Sequence, residues 1–154
     1  MRHTYSTETP EVLSLEQVEA LLPKWVQIVR DAPVLLLYLH GSYAKGTQAP
    51  LSDIDLAVLL EPEHGRDYRL YGELQIAFQD ACGRDDIDLV VFNTAGPIIR
   101  DRVIRHGRLL YARTEAQRIA FEADALKRAM DFSYYSQVYD DALFWQLKEG
   151  HFHD

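Results

Sequence analysis

Two short stretches limit what this chain can become. DIDLAVLL (residues 53–60) and DIDLVVFN (86–93) each set paired aspartates directly before an apolar run. Apolar runs of that length, bounded by polar turns, read as buried β-strands. Residues two apart on a strand share a face, and each residue advances the chain by about 3.3 Å. Asp53 and Asp55 therefore project side by side, while Ile54 and Leu56 point toward the core. Adjacent carboxylates raise each other's pKa unless a cation sits between them. A hard divalent ion with oxygen ligands, magnesium above all, is the natural compensating charge.

Asp88, flanked by Ile87 and Leu89, brings a third carboxylate if its strand lies beside the first. Asp86 faces the same way, and periodicity does not choose between them. Three carboxylates can hold two metals about 3.5–4 Å apart, an arrangement that stabilises attacking and leaving oxygens in phosphoryl displacement. The plain alternative is that each Asp-x-Asp bounds a turn. A calcium loop is disfavoured, because Leu-Ala-Val follows Asp55 where that loop needs alternating Asp or Asn and then glycine.

The rest of the chain supplies strands and helices in alternation. Residues 14–31 read as a helix, opened by a Ser14–Gln17 capping box and striped by Val18, Leu22, Trp25 and Val29. PVLLLYLH (33–40) is a further buried strand, and residues 67–82 form a helix that Gly83 ends. A turn at 93–97, a short helix IIRDRVIRHG and a strand RLLYA follow; from Thr114 onward all is helical, in one piece or two. Phe121, Ala125, Ala129, Phe132, Tyr139 and Leu143 are expected along one side of that tail. Its surplus aromatics Phe132, Tyr134, Tyr135, Tyr139, Phe144 and Trp145 either dock a partner helix or cover the sheet and one another. The pattern predicts an α/β (α+β) fold, a small mixed sheet with flanking helices and a C-terminal helical tail. One domain over 1–154 is expected, with its core at about 14–112 and the helical segment at about 114–150.

Composition removes some functions. Carboxylates exceed cations, for a net charge of −8, which argues against a dedicated binder of nucleic-acid backbone. The start lacks the apolar run of a signal peptide and no stretch approaches a membrane span, so a soluble cytoplasmic protein is expected. The one cysteine, Cys82, reads as a small buried hydrophobe in a helix. His151 and His153 read as a solvated chain end and not as metal ligands.

The loop LHGSYAKGTQAP follows a buried strand with glycine at the turn and a hydroxyl beside it. Glycine lets backbone approach a phosphate; Ser42 adds a donor and Lys45 a charge. Gly41 and Gly46 have P-loop spacing, but Thr47 stands where that motif requires lysine, so a Walker-type ATPase is disfavoured. By itself the segment is an ordinary strand-to-helix turn. Followed ten residues later by Asp53-x-Asp55 on an apolar strand, it resembles the minimal nucleotidyltransferase pattern of the DNA polymerase β superfamily. The similarity is to its short MNT branch, the antitoxins of MNT–HEPN toxin–antitoxin systems, and it runs from the first strand through RHGRLLYAR.

That resemblance implies a polymerase-β-type nucleotidyltransferase fold and two magnesium ions. By position, Gly41 and Ser42 would hold the outer phosphates of ATP, with Lys45 a further phosphate contact. Asp53, Asp55 and Asp88 would be the catalytic metal ligands. The implied reaction moves AMP from ATP onto a tyrosine of a HEPN-family toxin ribonuclease, silencing it. An antibiotic nucleotidyltransferase shares the carboxylates but usually carries a second substantial domain. A HEPN ribonuclease is suggested only by the spacing of Arg100 and His106, and a catalytically silent toxin-binding antitoxin would keep the fold alone.

Overall fold

The computed structural model describes residues 11–49 and 52–150. His151 and His153, and part of the turn TQAPLS, lie outside them. Helix α1 (Leu15–Arg30) opens on the expected capping box, with the Ser14 hydroxyl accepting from the Gln17 amide and the Gln17 side chain accepting from the Ser14 amide. Strand β1 (Val34–His40) runs straight into the short helix α2 (Gly41–Lys45). Strand β2 (Ile54–Leu60), a 3-10 turn at Pro62–His64 and helix α3 (Tyr68–Cys82) follow. Strand β3 (Ile87–Val91), helix α4 (Pro97–His106), strand β4 (Arg108–Ala112) and helix α5 (Glu115–Glu149) complete the order.

The four strands form one mixed sheet in the order β3-β2-β1-β4. β1 pairs antiparallel with both β2 and β4, whereas β2 and β3 run parallel. The two aspartate-led strands are therefore neighbours with their starts at the same end. Helices cover both faces of the sheet, and each face has its own core. On one, Trp25 and Val29 of α1 and Leu74 and Phe78 of α3 cover Leu37, Leu39, Ile54, Leu56, Val58 and Leu89. On the other, Leu36, Tyr38, Ala57, Phe92 and Val103 pack together beneath α4 and α5. Cys82 is half-buried, and burial raises its thiol above the ordinary value, consistent with a packing role.

The second face anchors α5. Phe92 stacks edge-on to Tyr38 at 5.6 Å and against Phe121 at 5.0 Å. The Tyr38 hydroxyl donates to Glu122, which also accepts from Arg118 at 2.7 Å. Burial, then the Glu122 carboxylate, pushes the Tyr38 hydroxyl above its ordinary pKa, so it stays a donor. Arg100 donates to the Phe92 and Asn93 carbonyls at 2.8 and 3.2 Å and lies over the Phe121 ring. Phe92→Ala removes the ring at the centre of this cluster and is expected to cost about 3–5 kcal/mol in urea unfolding. A loss below about 1 kcal/mol would mean that α5 is held some other way.

The tail resolves what its sequence left open. It is one continuous helix of 35 residues, about 50 Å long at 1.5 Å per residue. Ala125 and Ala129 are buried and Phe121 half-buried, as the stripe required. Phe132, Tyr139 and Leu143, expected along the same side, are 48%, 69% and 41% exposed. The reason is geometric: the sheet and α4 end before the helix does, so its distal half has nothing to cover. Among the described residues no helix is long and apolar enough to cross a membrane.

Candidate active site

Backbone register assembles the site. Asp55 of β2 pairs with His40 of β1 on one side and with Asp88 of β3 on the other. Ile54 and Leu56 alternate into the α1–α3 core, so the carboxylate between them faces the opposite side of the sheet. Asp53 lies one residue before β2 and is exposed. All three aspartates thus sit at the leading end of two parallel strands. Asp86 is otherwise engaged: its carboxylate pairs with Arg84, Nε to Oδ1 at 2.8 Å, and only 11% of its side chain is exposed. Asp88, by contrast, is exposed and in register with Asp55.

The glycine turn meets these carboxylates directly. Gly41 has φ +68°, in the left-handed region, and a β-carbon placed there would lie 2.0 Å from Asp55 Oδ2. Only glycine therefore lets the chain turn from β1 into α2 against that carboxylate. Ser42, half-buried, follows in the first turn of α2, where helical amides have no partner within the helix. Lys45 is in the last turn and exposed.

Among the described residues no ion-pair partner reaches Asp53, Asp55 or Asp88. Burial pushes the Asp55 carboxyl up to about 6, with further contributions from Asp88 and then Asp53. These are hard oxygen donors whose own repulsion favours a cation. Yet among the described residues no three His, Cys, Asp or Glu side chains close into a preformed metal cage. Open carboxylates suit magnesium in particular, which keeps waters and binds through one or two carboxylates plus the phosphates of a substrate.

His40 was not singled out by sequence reasoning. Burial holds its ring below the ordinary histidine pKa, and its Nε2 is buried without a hydrogen-bond partner beside Asp55. Its only signal was adjacency to Gly41, which does not reveal the cross-strand register. Arg100 and His106 sit on α4 between two strands, with Arg100 tied to backbone carbonyls, so their spacing carries no ribonuclease site.

The polymerase beta nucleotidyltransferase family matches residues 24–116, spanning α2, the three aspartates and all four strands. The chain belongs to that family. Protein adenylyltransferase MntA of Shewanella oneidensis is 36% identical over 91 residues, 57% of this chain and 63% of that relative. The chain thus matches a little under two thirds of that relative's length. A crystal structure of a toxin–antitoxin with AMP-PNP superimposes with a TM-score of 0.68 at 28% identity, covering 80% of this chain and 98% of that one. A mutant of the toxin–antitoxin MntA–HpeT gives 0.63 at 27% identity, covering 86% and 99%.

Proposed function

We propose that this protein is an antitoxin that transfers AMP from ATP to a tyrosine of a cognate HEPN-family toxin ribonuclease and so neutralises it. The observation that carries this reading is the in-register Asp55–Asp88 pair, joined by Asp53 and in contact with Gly41. Membership of a nucleotidyltransferase family and likeness to MntA, a protein adenylyltransferase, support it. The likeness to a toxin–antitoxin holding AMP-PNP supports ATP as the nucleotide.

In this reading the Gly41–Ser42 turn cradles the outer phosphates, and Lys45 adds positive charge at their edge. Asp53, Asp55 and Asp88 hold magnesium, which when bound neutralises phosphate charge that the acidic site would otherwise repel. The tyrosine oxygen of the acceptor attacks the α-phosphorus in line, the bond to the β-phosphate bridging oxygen breaks, and pyrophosphate leaves. Asp88, on the edge strand β3, receives the tyrosine proton in this reading. The core, at about 14–112, carries the chemistry and the helical segment, at about 114–150, serves the partner. The cytoplasm supplies both ATP and the toxin.

Intact-mass spectrometry tests the reading. The toxin incubated with this protein, ATP and magnesium is expected to gain the mass of one or more AMP groups, and excess EDTA should prevent the gain. An unmodified toxin under those conditions, alongside an aminoglycoside that does become adenylylated, would transfer the chain to antibiotic modification.

A further inference from the structure

The distal half of α5 is a large apolar surface that the fold leaves bare. Beyond Ala129 no described residue of the helix is buried. Tyr135 and Tyr139 are each 69% exposed, Phe144 63% and Trp145 59%. At 3.6 residues per turn, Phe132, Tyr135 and Tyr139 share one side, whereas Phe144 lies nearly opposite. A helix that is apolar on opposing sides is one that neighbours surround. Its aromatic and aliphatic side chains together present on the order of 1,000 Å². That exceeds the roughly 300–600 Å² patch of a typical monomer and matches the roughly 800 Å² per partner of a stable interface.

We propose that residues Met130 to Leu147 form the docking element for a basic, helical protein partner, the toxin that receives AMP. The inference rests on the function proposed above and names the surface that holds the partner. Charge selects the occupant. The segment 130–149 carries Asp131, Asp140, Asp141 and Glu149 against the one cation Lys148, in a chain of net charge −8. A second copy would bring like charges together, and an anionic lipid surface would be repelled. A basic partner gains from both the apolar contact and the carboxylates between the rings. A bundle of helices can offer a groove around the helix, where a flat sheet would touch one side only.

The test uses the full chain and a purified cognate HEPN-family toxin. In the variant Tyr135→Ser, Tyr139→Ser, Phe144→Ser and Trp145→Ser, toxin Kd is expected to weaken by about 100-fold or more. AMP-PNP affinity and the unfolding midpoint should stay at wild-type values, since these side chains touch neither core nor site. KM for toxin should rise while kcat at saturating toxin persists. Asp140→Lys with Asp141→Lys should weaken toxin binding about tenfold at low salt and little at high salt. Wild-type toxin affinity in the serine variant overturns the proposal, whether or not AMP transfer occurs. So does a wild-type dimer that the serine variant dissolves without loss of toxin binding. Toxin binding that the serine variant abolishes, with no AMP transfer by the wild type, supports the docking surface and sinks the transfer reading alone.

Discussion

Asp55→Asn is expected to lower AMP transfer by about three orders of magnitude or more while making the nucleotide-free protein more stable. The loss follows because Asp55 is the carboxylate shared by all three features of the site: β1, β3 and the glycine turn. The gain follows from the same position. Its carboxyl stands at about 6 because burial and two like charges penalise the ionised form. A group whose folded pKa is raised contributes stability below its unfolded value, near 4, and loses that contribution as pH rises through its folded value. At pH 7.5 the penalty is fully present, and an uncharged isostere removes it. Because Asp55 is only about half-buried, solvent screening cuts the benefit to about 1 kcal/mol, or a few degrees in Tm. The difference should shrink as pH falls and vanish below about pH 3, where aspartate is protonated in both states. Thermal scans at both pH values check this, and a variant less stable than wild type at pH 7.5 would refute the uncompensated-charge account. Asp53→Ala is expected to lose transfer as completely, with little effect on stability because its side chain is exposed.

Gly41→Ala is expected to reduce transfer by about 100-fold or more, because the new methyl occupies the place of Asp55 Oδ2 and the carboxylate must swing away. Backbone strain at φ +68° adds about 1–3 kcal/mol of destabilisation. Gly46 offers a matched control: its φ is +70°, yet a β-carbon there would meet nothing within 4 Å. Gly46→Ala should therefore show similar destabilisation and near-normal transfer. Steady-state rates for the pair separate strain from contact; equal losses would mean that closeness to Asp55 is irrelevant.

Much of this was legible in the residues. The capping box at Ser14, the stop at Gly83 and all four strands follow local rules, and the structure places them within a residue or two. Gly41–Ser42 and Asp53-x-Asp55 were visible because their spacing is local as well. Strand order was not, since nothing in an apolar run states which neighbour it pairs with or in what direction. That gap hid His40, which joins the site only through the antiparallel register of β1 with β2. It also left Asp86 and Asp88 equivalent until Arg84 claimed the former. The far half of α5 stayed open for another reason: a stripe shows which side chains align, and burial follows only where something exists to bury them.

Helix α5 starts almost where β4 stops, with only Arg113 and Thr114 between, and the Thr114 hydroxyl caps its first turn. Tyr38, on the strand that delivers Gly41, is bolted to Glu122 on that helix. Aim and reach of the projecting rod are thus dictated by the same sheet that orders the carboxylates. With the partner docked as proposed, it is a fixed gauge: a client seated along it can offer only those hydroxyls lying at one set distance from Asp55. Inserting a pliable spacer after Ala112 would keep the grip and surrender that selection.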